Sequence, residues 1–153
     1  MTDIVHFRRA GAEPSGRQIR ALQTWRLKRV DDYVENHLSE KISLAELAAV
    51  AGLSRMHFAS QFRMATGLRP HEFLLRRRVQ RAEWLLRESA LAIVEIALTV
   101  GFQTQAHFTA VFKKITGCPP HQWRSAKQLR RAVQARAISR AGILLRGSHR
   151  QLP

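Results

Sequence analysis

Residues 54–66 and 104–116 of this 153-residue chain each place cationic and hydrogen-bonding side chains at helical spacing. In each segment an apolar stripe leaves the opposite face to polar, small or charged residues, with Arg63 on the first and Lys113 on the second. Guanidinium, ammonium, hydroxyl and amide groups in this arrangement can bind the phosphates and base edges of a nucleic acid. The candidate contact residues are Ser54, Arg55, Met56, His57, Ala59, Ser60, Arg63, Thr104, Gln105, Ala106, Thr109, Ala110 and Lys113.

These segments belong to a repeat that covers much of the chain. Residues 46–73 and 95–123 share ten identical positions, including His-Phe-x-x-x-Phe and a closing Thr-Gly-x-x-Pro-His. The offset between the copies is 49 residues before the central turn and 50 after it, so the second copy carries one extra residue there. Loops tolerate such insertions, and the repeat therefore predicts two copies of one small helical unit.

Helix signals place the elements of the first unit. An apolar stripe at Leu27, Val30, Val34 and Leu38 predicts a helix that begins near Thr24. The sequence Ser-Leu-Ala-Glu at 43–46 is a capping box, which predicts a second helix.

Two further signals mark the end of the second helix and the start of the third. Gly52 supplies the turn after the second helix, and Ser54 caps the third, whose inward residues are predicted to be Phe58, Phe62 and Ala65. From Pro70 onward a stripe of Leu75, Val79, Ala82 and Leu86 predicts a connecting helix of some 18 residues.

The second unit repeats this plan with one departure. Its third helix is predicted to turn Phe108, Phe112 and Ile115 inward. Ala92 stands where the first unit has Ser43, so the second unit lacks a capping hydroxyl that contributes about 1 kcal/mol. We therefore expect the second unit to be the less stable one.

Charge points to a polyanionic partner. The chain has 26 Lys and Arg against 11 Asp and Glu, a formal net charge of +15, and residues 124–153 hold eight basic residues and no acidic one. This segment predicts a solvated basic tail with partly helical character. No apolar run is long enough to span a membrane and no signal peptide is recognisable, which favours a cytoplasmic protein that does not bind membranes.

The motifs of enzymes and metal proteins are missing from the sequence. Cys118 is the only cysteine, which excludes an internal disulfide and a cysteine-based zinc or iron–sulfur site. His57 and His107 have no carboxylate or cysteine partners in register, so neither is predicted to bind a metal. No Gly-rich phosphate loop, nucleophile elbow or zinc-protease motif occurs. We expect no enzymatic activity, metal or cofactor.

Each unit has the pattern of a helix-turn-helix. A small residue, Ala48 or Ala97, allows two helices to cross closely, and a glycine makes the turn that projects the next helix toward a DNA major groove. The repeat resembles the DNA-binding domain of AraC/XylS-type transcription regulators. The resemblance covers about residues 24–125 and is carried by SLAELAAVAGLS (43–54), F-x-x-x-F-R-x-x-T-G-x-x-P (58–70), R-x-x-x-A-x-x-L-L (78–86) and VGF…HF-x-x-x-FKKITGCPPHQWR (100–124).

The resemblance implies an all-α fold of about seven helices, with two helix-turn-helix subdomains joined by a long connecting helix. It implies a short, stand-alone activator that binds double-stranded promoter DNA as a monomer, inserts helices 54–66 and 104–116 into successive major grooves, and contacts RNA polymerase. The expected divisions are a loose leader (1–23), the first subdomain (24–69), the connecting helix (70–88), the second subdomain (89–125) and the basic tail (126–153).

Two other functions remain open at this stage. Met56, Ala59, Ala106 and Ala110 offer no polar contact to a base edge, as expected of a nonspecific basic nucleoid protein that kept the scaffold. The chain could also be the DNA-binding half of a pair whose partner carries a sensor.

Three side-chain groups have ordinary structural interpretations. Trp84 and Trp123 are predicted core residues, and His71 and His121 are predicted to lie in the first turns of their helices. The Arg76–Arg81 run is either the solvated face of the connecting helix or a phosphate-binding surface.

Overall fold

The computed structural model describes the backbone of residues 20–146 and the side chains of residues 20–138. Within residues 20–146 all regular secondary structure is α-helical, which confirms the predicted fold class and the helix number. The helices are α1 (Thr24–Asn36), α2 (Leu44–Ala51), α3 (Arg55–Thr66), α4 (Pro70–Glu88), α5 (Ile93–Thr99), α6 (Gln105–Thr116) and α7 (Pro120–Arg146).

The first unit comprises α1, α2 and α3. Ser43 and Glu46 form the predicted capping box, because the Ser43 hydroxyl accepts from the Glu46 amide at 3.2 Å and the Glu46 carboxylate accepts from the Ser43 amide at 2.7 Å. Gly52 ends α2 with a φ of +66°, a conformation that side chains disfavour. The core of this unit includes Val30, Val34, Phe58 and Phe62, all fully buried.

Helix α1 begins at Thr24 as predicted, but the packed part of the first unit includes residues that precede it. Leu22, which the sequence placed in the leader, is only 5% exposed and packs in this core. Its amide donates to the Gln61 carbonyl at 3.0 Å, which ties the approach to α1 to the middle of α3. Residues 1–19 of the predicted leader lie outside the described part of the chain.

The connecting helix α4 supplies side chains to two separate cores. Leu74 belongs to the core of the first unit, whereas Val79, Ala82 and Leu86 belong to the core of the second. Its 19 residues agree with the predicted 18-residue rod. Because one continuous helix is embedded in both cores, the two units cannot move independently at that point.

The second unit comprises α5 and α6 packed on α4. Ala92 is the N-cap of α5 and makes no side-chain cap hydrogen bond, as expected, although the Glu95 carboxylate still accepts from the Ala92 amide at 2.7 Å. The turn after α5 matches the first turn, since the Leu53 amide donates to Ala48 and the Phe102 amide donates to Ala97, each at 2.9 Å. The extra residue of the second copy is therefore Gln103, which is exposed between this turn and α6.

The C-terminal helix α7 passes through the predicted tail boundary at residue 125 without a break. Its first turns are anchored: Trp123 packs edge-on against Phe112, and Arg124 donates to the Leu91 carbonyl at 2.6 Å. Further on, Arg131 donates to the Arg87 carbonyl at 3.0 Å and to the Glu88 carboxylate at 3.0 and 3.1 Å. Residues 128–138 are exposed, in agreement with the predicted solvated surface, and residues 147–153 lie outside the described part of the chain.

Three predicted burial patterns need correction. Trp84 is 43% exposed and stacks with Arg81 at 4.5 Å, so it is not a core residue. Ile115 is 37% exposed and lies one residue before the end of α6. The Arg76–Arg81 run is not a uniform solvated face, because Arg78 is buried at 8% exposure. None of the helices in residues 20–146 has the length and apolar character required to cross a membrane.

Candidate nucleic-acid interface

Helix α3 presents a polar and cationic face because its phenylalanines point the other way. Phe58 and Phe62 are fully buried, while Met56 is 79% exposed. Ser54 caps the helix: its hydroxyl accepts from the His57 amide at 3.4 Å and hydrogen bonds to the His57 ring at 2.9 Å. Ser54 and His57 therefore shape the start of the helix as well as lying on its exposed end.

Helix α6 is built in the same way. Thr104 caps it by accepting from the His107 amide at 3.2 Å, and Phe108 and Phe112 are fully buried. His107 packs edge-on against Phe102, with ring centroids 5.3 Å apart. The two helices are each 12 residues long and end at a left-handed glycine, Gly67 or Gly117.

Of the thirteen predicted contact residues, ten are exposed and three are half-buried. Ala59, Ser60 and Thr109 are half-buried at the edges of the faces. The others are exposed, namely Ser54, Arg55, Met56, His57, Arg63, Thr104, Gln105, Ala106, Ala110 and Lys113.

The cations on these faces are available to an anionic ligand. Arg55, Arg63 and Lys113 form no ion pair with any residue from 20 to 138. The α4 arginines differ, since Arg76 pairs with Glu72 at 3.0 Å and Arg77 pairs with Asp31 and, at 3.6 Å, with Glu35. The exposed faces of α3 and α6 therefore carry positive charge that is not paired with an acidic residue in the described part of the chain.

The Arg76–Arg78 run is thus largely structural. Arg77 attaches α4 to α1 through Asp31 and Glu35, and Arg78 donates to two backbone carbonyls. Both contacts span about forty residues of sequence, which is why helical spacing could not reveal them. A cationic run on a predicted helix gives no indication of acidic partners on a helix far away in the chain.

A groove of about 480 Å³ beside α3 adds one cation, Arg69, that the sequence did not single out. Leu44, Leu47 and Leu74 contribute apolar surface, and Arg63, Arg69 and His71 also line it. Arg69 is exposed at the N-cap of α4, directly after the turn that ends α3. Its position next to a predicted contact helix is the one sequence signal that could have identified it.

The comparisons with known proteins agree with this geometry. Residues 47–126, just over half of the chain, match the family model described as "Helix-turn-helix domain". The chain belongs to the AraC/XylS family of helix-turn-helix transcription regulators. This is a family of regulators and not of enzymes, in line with the expected lack of enzymatic activity.

Curated transcription regulators match about half of the chain. The chain is 38% identical over 77 residues to the probable transcriptional regulator LumQ of Photobacterium leiognathi, which covers 50% of this chain and 31% of LumQ. It is 33% identical over 79 residues to the transcriptional activator Btr of Bacillus subtilis, which covers 52% of this chain and 15% of Btr. The chain therefore spans less than a third of either relative.

Solved AraC-type structures match more completely. The DNA-binding domain of AdpA, described as a global transcriptional factor in complex with a target DNA, superposes with a TM-score of 0.66 and is 33% identical, covering 69% of this chain and 96% of that one. A regulator with an AraC-type DNA-binding domain from Chromobacterium violaceum gives a TM-score of 0.64 at 26% identity, covering 67% and 91% of the two chains. These matches confirm the fold with two helix-turn-helix motifs.

Proposed function

We propose that this AraC-type regulator binds a specific double-stranded DNA sequence by inserting α3 and α6 into successive major grooves. The observation that carries the proposal is the duplication: two helices of equal length, each capped and each backed by two buried phenylalanines, expose corresponding faces that differ in residue type. Two recognition helices on one chain can occupy grooves about 34 Å apart, one helical turn of DNA, without a second copy of the protein. Binding as a monomer follows from this arrangement.

The composition of the two faces indicates how bases are read. Met56, Ala106 and Ala110 are exposed and cannot form bidentate hydrogen bonds, so they favour apolar contact with thymine methyl groups. Gln105 and Arg55 are the side chains best suited to polar contacts, and Arg63 and Lys113 suit phosphates. Part of the specificity is then expected to come from the shape and bending of DNA held by two linked helices.

The direction of regulation is supported by the relatives. Btr is named a transcriptional activator, and so is RhaS of Klebsiella pneumoniae, which is 35% identical over 77 residues. On this basis the protein activates transcription from DNA in the cytoplasm and contacts RNA polymerase. A surface for such a contact must lie off the DNA-binding faces, and the exposed Arg81–Trp84 stack on α4 is one such surface.

The experiment that tests the proposal is selection of binding sites from random duplex DNA. We then measure affinity for the selected site and for a scrambled duplex at several salt concentrations. A motif in two adjacent major grooves, bound one protein to one duplex with a preference of about 10³ or more, is the expected result. A motif confined to one groove would refute insertion of both helices.

A nonspecific basic DNA-binding protein is the second candidate, favoured by the alanines on α6. Its signature would be equal affinity for the selected and the scrambled duplex, with a steep dependence on salt. A requirement for an added partner protein would instead favour a DNA-binding half that depends on a separate sensor partner.

A further inference from the structure

Arg78 is the only buried charged side chain among those the structure describes, at 8% exposure. It lies near the middle of α4, where the connecting helix passes from the first core to the second. None of the ion pairs among residues 20–138 includes Arg78, so backbone carbonyls and an aromatic ring hold its charge. A buried cation without a carboxylate is costly unless its hydrogen bonds are well formed.

The hydrogen bonds of Arg78 reach into the first unit. Its Nε donates to the Leu38 carbonyl at 3.1 Å, and its Nη2 donates to the Glu40 carbonyl at 2.6 Å. Leu38 and Glu40 lie in the turn that follows α1. One guanidinium therefore binds two carbonyls of this turn in a fork, a geometry that a lysine cannot reproduce.

The other side of Arg78 lies against the turn of the second helix-turn-helix. Its guanidinium carbon is 5.8 Å from the centre of the Phe102 ring, at the end of that turn. Gly101 has a φ of +85°, and a Cβ added there would come within 2.2 Å of the Leu38 carbonyl oxygen and 2.8 Å of the Arg78 Nη2. The turn before α6 is thus packed against the first unit and against Arg78 at the same point.

The first helix-turn-helix also has an arginine against its turn, but that arginine stays within its own unit. Arg26 covers the turn before α3, where its Nη1 donates to the carbonyls of Ala51 and, at 3.2 Å, Gly52. Those carbonyls belong to the first unit, like Arg26 itself. Each recognition helix is therefore preceded by a turn covered by arginine, but only the second of these arginines joins the two units.

We propose that Arg78 is a positioning residue that holds the two recognition helices at one separation and rotation, and so determines which spacing between half-sites the protein accepts. This inference rests on the proposed insertion of both helices. Three elements meet at Arg78: the turn after α1, the middle of α4 and the Gly101–Phe102 turn that leads into α6. With the fork removed, α4 still links the units, but only the packing of Gly101 against the Leu38 carbonyl still joins the second turn to the first unit at this point.

The test compares Arg78→Met with Arg26→Met, the matched control that removes an arginine from the other turn. Both variants are measured against duplexes that carry the selected half-sites with base pairs added or removed between them. The wild type is expected to bind one spacing best. Arg78→Met is expected to lose about tenfold of that preference, or ~1.4 kcal/mol, whereas Arg26→Met is expected to retain it.

A second measurement needs no DNA. Spin labels at Met64→Cys and Lys114→Cys, in a Cys118→Ser background, lie on α3 and α6 at exposed positions outside the predicted contacts. Electron–electron distance measurements on the free protein are expected to give a narrow distribution for the wild type and for Arg26→Met, and a broad one for Arg78→Met. If Arg78→Met does not fold, Arg78→Lys replaces it, since it keeps the charge and loses the fork.

The outcomes separate the two proposals. A folded Arg78 variant with an unchanged distance distribution and unchanged spacing preference would overturn the role of Arg78. A wild type that accepts every spacing would instead refute insertion of both helices, and the distance distributions would still decide whether Arg78 orders the two units.

Discussion

The missing cap of α5 leads to a prediction that can be worked out from the structure. Ala92 has φ and ψ of −61° and 152°, an extended conformation close to the −95° and 158° of Ser43. The Glu95 carboxylate already accepts from the Ala92 amide, so half of a capping box is present. Ala92→Ser adds a hydroxyl that can accept from the Glu95 amide, as the Ser43 hydroxyl accepts from the Glu46 amide.

The expected gain is about 1 kcal/mol, the usual difference between serine and alanine at an N-cap. Ala92 is exposed, so the hydroxyl is not transferred into the core and no burial cost offsets the gain. For a domain of this size, about 1 kcal/mol raises the melting temperature by about 3–6 °C. Ser43→Ala is expected to lower it by a similar amount, because it removes the same hydrogen bond from the first unit.

Thermal and urea unfolding, followed by circular dichroism, measure the effect. The midpoint in urea should rise while the slope stays constant, since the surface exposed on unfolding is the same. Ala90→Ser is the matched control: it adds the same hydroxyl at an exposed position two residues before the cap and should leave stability unchanged. An Ala92→Ser protein no more stable than the wild type would show that another group already satisfies the Glu95 amide.

Three further predictions concern charge. Arg63→Gln and Lys113→Gln should each weaken binding to selected and scrambled duplexes alike and should each reduce the slope of log affinity against log salt by about 0.9; an unchanged slope would exclude phosphate contact. Burial raises the pKa of Glu83, although Lys127 and Arg87 nearby act in the opposite direction. Ionised Glu83 is therefore less stable in the folded protein than in the unfolded chain, and the free energy of unfolding falls as the pH rises through the carboxylate pKa. Glu83→Gln should accordingly stabilise the protein at neutral pH and not in acid, and urea midpoints at the two pH values will test this. Hydrogen bonds from Arg87 and Arg131 lower the pKa of Glu88. The ionised Glu88 carboxylate therefore holds Arg131 of α7 at any pH above the ordinary carboxylate pKa. This contact is lost as the pH falls through the lowered pKa of Glu88. Amide exchange in residues 131–138 should then increase in acid, and a Glu88→Gln protein should show no such pH dependence once intrinsic exchange rates are corrected.

Local signals were sufficient to predict most of the fold. Ser43, Glu46 and Ser54 act within three residues of their partners, and Gly52 adopts a conformation that few other residues tolerate. Because these interactions are short-range, the bounds of α2 and α3 could be predicted from the residues alone. The outward faces of α3 and α6 followed from the buried phenylalanines in the same way.

Long-range packing could not be predicted from spacing. Trp84 is a different case, because it lies on the side of α4 opposite the Leu75, Val79, Ala82 and Leu86 stripe; helical spacing therefore already favoured an exposed indole, which the structure shows beside Arg81. Arg78 follows two other arginines in the sequence, yet its partners are carbonyls some forty residues earlier. Whether an arginine binds phosphate, an acid or a carbonyl depends on which surfaces the fold brings next to it.

Gln103, the residue by which the second unit exceeds the first, adds to the sequence differences that make the two units unlike. A symmetric dimer binds a palindrome and has no preferred direction along it, whereas a single chain that inserts two unlike recognition helices, as proposed above, requires a site that differs when it is read backwards. Such a site has a polarity. Reversing the binding site in a promoter would reverse the orientation of the bound protein along the DNA. The Arg81–Trp84 surface would then point away from the RNA polymerase that it is proposed to contact, while the affinity for DNA would stay the same.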